Sequence, residues 1–388
     1  MPVVSSPTRA AAAGLVSLAA AMGIGRFAFT PLLPLMQQEG LLDVARGGEL
    51  ASVHFAGYLA GALAAGWLRL PPRPSLLAAL GIIAVATLAM GLTENFILWL
   101  LLRFASGAAS AFVLVAVSSH FISFLAEAGR AGLQGWVFAG VGAGIALAGL
   151  ATLGIMAMGV PSPLAWQLFG WVSLAAVAAV LLLWPGDRGG PVRTKQTGKA
   201  ARVPVQWPAV VAYCAAGLGY VIPATYLPVL AKETVSSPMI FGLGWPVFGA
   251  AAFVSTLISA RLHARHSNRQ VWAVSQLVMA GGLLLPVFAP HIAAVILSGL
   301  AVGGTFMIVT MAGMKEAYRI GGKDDAQRHI AVLTTSFAAG QMAGPAMAGW
   351  MREATGSFAT PLIFTSILLA AAAFWLVRPA GVTETARP

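Results

Sequence analysis

Charged and strongly polar residues are sparse along this chain, and between them lie recurring apolar stretches of about 20 residues. Twelve can be drawn, over residues 10–36, 49–68, 75–92, 96–124, 131–156, 164–184, 207–231, 239–260, 271–289, 292–314, 328–350 and 358–377. Stretches of this length cross a hydrocarbon core of roughly 30 Å as helices, and the Gly and Pro inside them are tolerated there. The one long polar segment, 185–206, is rich in Gly, Pro and basic residues and cannot bury a core. It predicts a linker between two six-helix bundles, residues 1–184 and 207–388. The other loops are short. An all-α membrane protein of twelve helices follows.

The two bundles carry the same marks. MGIGRFAFTPLLPLM at 22–36 is answered by AGLGYVIPATYLPVL at 216–230, 194 residues later. Gly23, Gly25, Leu33 and Pro34 align with Gly217, Gly219, Leu227 and Pro228, and Arg26 aligns with Tyr220. Gly140, Gly144 and Gly149 are likewise answered by Gly340, Gly344 and Gly349. Duplication of an apolar half-chain predicts pseudo-symmetric bundles and a transporter's site between them. The glycine series read as small faces that let helices approach closely.

Composition supports the membrane assignment. The chain is 59% hydrophobic and 9% charged, against roughly 25% charged in soluble domains. Its net charge of +11 invites a nucleic-acid reading, which the distribution of the charges rejects. With both termini and the linker on one side, that side collects 18 of the 23 Lys and Arg, and the other holds only Arg46, Lys232 and Arg352. This is the positive-inside asymmetry, and it predicts cytoplasmic termini in a bacterial inner membrane. Trp67, Trp99, Trp166, Trp184, Trp207, Trp272, Trp350 and Trp375 lie near span ends, as an aromatic belt would place them. The single cysteine, Cys214, excludes a disulfide framework within the chain. No His/Cys metal spacing, phosphate loop or catalytic triad occurs, so no cofactor, metal or enzymatic activity is expected, and the chain is expected to act as a monomer.

Twelve spans, two halves and a basic central linker resemble the major facilitator superfamily. GIGRFAFTPLLPLM with GYVIPATYLPVLA is similar to its YbfB/YjiJ-type branch. RFASG at 103–107 matches the superfamily's fourth-helix signature, which implies a coupling or gating role for Arg103. Two departures matter. The acidic loop signature is absent after the second span, and in its counterpart, ARLHARHSNRQ at 260–270, Ala264 stands where an Asp is expected. GVGAG at 140–144 lacks the proline of the antiporter motif, although Pro345 stands in its repeat partner. The resemblance therefore implies a weakened charge relay at the cytoplasmic side and gives antiport no support.

Chemistry concentrates on few residues. Arg26 and Arg103 lie inside spans, whereas all twelve carboxylates map to loops or span ends. Charges within a bilayer usually face a cavity or a partner. Two cations without internal counter-anions predict an anionic substrate, which a guanidinium binds bidentately. Arg26 shares a helical stripe with Thr30, and Tyr213 and Tyr220 form the matching stripe on the duplicated helix. Arg26, Thr30, Tyr220, Tyr213 and Gln341 are therefore the expected substrate ligands. Arg103, His54 and Tyr58 are the expected coupling and gating residues, since histidine titrates near neutral pH and suits a coupled proton. For Arg26 and Arg103 the alternative is a structural role, holding backbone carbonyls. The expected function is secondary transport of a mono- or dicarboxylate-like anion by alternating access. Efflux of hydrophobic or cationic compounds is the competing reading, and the lack of a membrane carboxylate weighs against cations.

Overall fold

The computed structural model describes residues 6–68, 70–184, 203–234 and 242–378. Most of the expected linker lies outside the described residues. The first span, α1 (Pro7–Gln38), is not the uniform helix that its hydropathy suggests. It runs as α-helix to Leu18, widens into a π-helix over Ala19–Arg26, and resumes over Phe29–Gln38. Gly23 and Gly25 sit in the wide turn, and Pro31, which has no N–H, follows it.

The remaining helices follow the hydropathy closely. They are α2 (Val44–Trp67), α3 (Pro72–Met90), α4 (Phe96–Glu127, with a π stretch at Ser118–Ile122), α5 (Gln134–Ala157) and α6 (Ser162–Leu183). After the linker come α7 (Trp207–Thr234), α8 (Gly244–Arg265), α9 (Asn268–Phe288), α10 (Ile292–Thr355) and α11 (Ala359–Val377). Some helix starts are capped by side chains. Asp43 accepts from the Arg46 N–H at 2.7 Å, and Ser267 with Gln270 forms a capping box.

One helix, α10, replaces two expected spans. Its 64 residues stay helical throughout and would extend about 96 Å if straight. They are not straight. Phe306 and Phe337 lie on the ring of the same tyrosine, Tyr220, at 5.0 and 5.6 Å, so the chain reverses between them. Counting its limbs as two crossings gives the expected twelve.

The belt expectation fails for several tryptophans. Trp99, Trp166 and Trp272 are buried inside the bundle, their indole N–H groups donating to the Met90 carbonyl, Met36 Sδ and Gln276 Oε1. Trp207, Trp350 and Trp375 do face outward. Position near a span end sets depth but not which way the ring points.

The glycine faces pack as expected. Gly140 and Gly144 lie against the α1 backbone at Leu15 and Ala19, and Gly340 lies against Cys214 of α7. Other close approaches join the two halves of the chain. An added Cβ on Gly142 would stand 2.3 Å from Phe253 N, and one on Gly249 would stand 2.3 Å from Ala146 N, so α5 and α8 touch backbone to backbone.

Polar contacts close the end of the bundle opposite the linker. The Tyr226 hydroxyl reaches the carbonyls of Val44 (3.2 Å) and Pro345 (2.8 Å). Ala346 N–H donates to Ser52 Oγ at 3.0 Å, and Ala45 N–H to Glu353 at 3.3 Å. At the linker end the acid missing from position 264 is supplied by another helix. Glu316 of α10, its side chain fully buried, accepts from Arg269 Nε at 2.6 Å and from Arg319 at 2.6 and 2.7 Å. This cluster ties α9 to α10.

Candidate functional site

The π stretch of α1 opens the backbone at the centre of the bundle. Thr30 N–H turns back to the Phe27 carbonyl, and the Arg26 carbonyl is taken by Arg103 Nη2 at 3.2 Å. Arg103 Nη1 and Ser106 Oγ both donate to the Gly25 carbonyl, at 3.1 and 3.2 Å, and Ser110 reaches Ala21. Arg103 thus holds two backbone carbonyls of α1. Through it α4 positions the residue that follows Gly25.

That residue is Arg26, 7% exposed. Three rings surround its guanidinium carbon, Phe55 at 4.5 Å, Tyr58 at 5.0 Å and Phe27 at 5.1 Å. Such faces stabilise a delocalised cation by about 0.5–2 kcal/mol each. Nη2 donates to the Tyr220 hydroxyl at 2.8 Å, Nη1 lies 3.7 Å from Met22 Sδ, and Nε is buried without a partner among the described residues. Neither Arg26 nor Arg103 forms an ion pair among the described residues.

Across from Arg26, Gln341 Nε2 donates to the same Tyr220 hydroxyl, and Thr30 Oγ1 donates to the Ala224 carbonyl. The pairs 26/220 and 30/224 are both 194 residues apart. Each residue thus meets its own repeat counterpart, which puts the pseudo-two-fold axis through this spot. Four of the five expected ligands, Arg26, Thr30, Tyr220 and Gln341, come together here. Tyr213 is used elsewhere: its hydroxyl donates to the Thr310 carbonyl at 3.0 Å, and its ring packs on Trp272 and Phe337.

Of the expected coupling residues, Tyr58 joins the rings around Arg26. His54 lies one turn away, fully buried and edge-on to Phe55 at 5.8 Å. Neither of its ring nitrogens closes a hydrogen bond of normal geometry among the described residues, though the Arg103 carbonyl is close enough to interact. The residues that sequence reading missed are aromatic. Phe306 and Phe337 sandwich Tyr220, Phe248 stacks on Phe306, and Trp245 stacks on Phe248. They come from α8 and both limbs of α10, with no spacing to link them.

A membrane-spanning bundle of twelve crossings, with polar groups converging on an axis between its halves, has the architecture of a major facilitator transporter. The crystal structure of a mutant of the nucleoside transporter NupG superposes with a TM-score of 0.72 at 12% identity, covering 95% of this chain and 98% of that one. Residues 18–377 match the family model described as "Uncharacterised MFS-type transporter YbfB", and the chain belongs to that family of major facilitator superfamily transporters. No curated protein matches it.

Proposed function

We propose that the chain is a bacterial inner-membrane secondary transporter of a small organic anion. The bundles formed by residues 1–184 and 207–388 rock about the axis at Arg26 and Tyr220, and both termini are cytoplasmic. The observation that carries this reading is the buried Arg26–Arg103 pair, two cations without an acid partner among the described residues. Desolvated positive charge of this kind is compensated when a carboxylate or phosphate arrives. The Arg26 guanidinium still holds an unpartnered Nε–H beside Nη2, the fork that a carboxylate binds. The Gln341 amide adds a further donor from the opposite bundle. In this reading the anion takes Arg26 from Tyr220, so loading the site breaks a bond between the halves.

The test is a thermal-shift screen of purified protein against organic anions, organic cations and neutral nucleosides. Anions are expected to raise the melting temperature. Stabilisation by cations alone would favour the efflux reading. Stabilisation by nucleosides alone would extend to this chain what NupG's name says of that protein.

His54 is the group proposed to carry a coupled proton. The charged and titratable groups that face it are Arg26 of α1, Arg103 of α4 and, one turn along its own helix, Tyr58. An anion on Arg26 offsets the positive charge of Arg26 and Arg103 beside His54, so proton and anion enter together. Uptake into proteoliposomes is expected to fall as pH rises from 5 to 8, and His54→Gln to flatten the profile. An unchanged profile in His54→Gln removes His54 from coupling.

A further inference from the structure

We infer that the anion held at Arg26 carries a planar ring, so that the substrate class is an aryl or heteroaryl carboxylate rather than an aliphatic one. This rests on the anion reading above and adds to it the body of the molecule to which the charge is attached.

The C-terminal half carries a ladder of stacked rings that begins beside Tyr220 at the axis. Tyr220 lies between Phe337 (5.6 Å, interplanar angle 9°) and Phe306 (5.0 Å, 10°). Phe306 continues onto Phe248 (5.5 Å, 22°), and Phe248 onto Trp245 (4.9 Å, 16°). Trp245 in turn meets Phe27, which abuts the Arg26 guanidinium. Five rings from three helices, α7, α8 and α10, thus stack in series, each within 22° of the next. When helices carrying parallel faces shift relative to one another, the space opened is a slot. A slot of one ring's thickness favours a flat body over a puckered one.

Tyr220 shows what such a slot holds. It is an aryl group between two phenyl faces, with its oxygen substituent on Arg26 and Gln341. Two donors, one of them cationic, converge on the oxygen of a phenol, although a carboxylate is the stronger match for a guanidinium. Donors are also in excess around the ladder. Arg26 Nε–H and the fully buried Trp245 indole N–H both lack acceptors among the described residues, and buried donors of this kind are normally satisfied. An aryl carboxylate supplies what the side chains do not: acceptor oxygens for the donors and a flat face for the rings. An aliphatic acid supplies only the first.

Binding by the full-length protein in lipid nanodiscs, measured calorimetrically, separates the two claims. The probes are benzoate, nicotinate and cyclohexanecarboxylate; the last has the carbon count and charge of benzoate without its flatness. Uridine serves as a neutral ring control. The parent is expected to bind benzoate or nicotinate at least about tenfold more tightly than cyclohexanecarboxylate, as stacking on aromatic faces implies. Phe306→Leu should bring that ratio close to one while cyclohexanecarboxylate binding persists, and Phe337→Leu is a second variant should the first fail to fold. Equal affinity for the flat and puckered acids in the parent overturns the ring claim and leaves the anion reading standing. No heat with any of the three acids, whether or not uridine binds, overturns both.

Discussion

Arg26→Ala is expected to abolish binding of the transported anion, raising Kd at least a hundredfold, in a protein that still elutes as a single species. Hydrogen bonds to charged groups contribute about 1.5–3 kcal/mol each, and a bidentate carboxylate loses two of them. The fold should survive for reasons visible at the site. Arg26 makes one strong side-chain bond, to Tyr220, and Tyr220 keeps Gln341 and two stacked phenylalanines without it. Removing a buried cation that has no acid partner also relieves a desolvation penalty. Arg26→Lys should restore little, because an ammonium cannot reproduce the planar fork and sits less well among Phe27, Phe55 and Tyr58. Anion binding by Arg26→Ala at the parent's affinity would show that the guanidinium is structural and would end the anion reading.

Gly249→Val is expected to eliminate transport while leaving both halves folded. The first atom of the new side chain would stand 2.3 Å from Ala146 N and 2.7 Å from its Cα. Both are backbone atoms of the opposite half, so no rotamer change relieves the clash. A contact between halves can instead be lost by keeping them apart there, which removes one of the two states that alternating access requires. Counterflow and uptake in proteoliposomes should both fall to background, with the melting temperature within a few degrees of the parent. Normal uptake would mean that α5 and α8 do not need this approach in any working state.

Much of this architecture can be read from the chain because a bilayer restricts it so strongly. Lipid requires apolar stretches of one length, and ten of the twelve reappear as separate long helices. The meeting of Arg26 with Tyr220, and of Thr30 with Ala224, follows from symmetry: a repeat of 194 residues places equivalent positions opposite each other. What symmetry does not relate stays hidden. Phe306 and Phe337 converge on Tyr220, and Phe248 on Phe306, from separate helix segments, and no period in a linear sequence encodes adjacency across helices. Tyr213 shares a stripe with Tyr220, yet its hydroxyl finds the Thr310 carbonyl, a choice set by the neighbouring helix. Glu316 reads as an ordinary span-end acid until α9 and α10 bring Arg269 onto it. The turns freed around Gly25 explain Arg103, and they depend on a π stretch that hydropathy cannot distinguish from α-helix.

The pairing of residues 26 and 220 also bears on how such a protein can arise. In a homodimer of six-helix chains, a residue on the two-fold axis faces its own copy, an isologous contact. Two arginines there would repel each other, and two tyrosines would carry no charge. Only when the two halves differ in sequence, as they do in a tandem chain, can the position hold a cation on one side and a phenol on the other. The chemistry on this axis is therefore open to a tandem chain and closed to its symmetric ancestor.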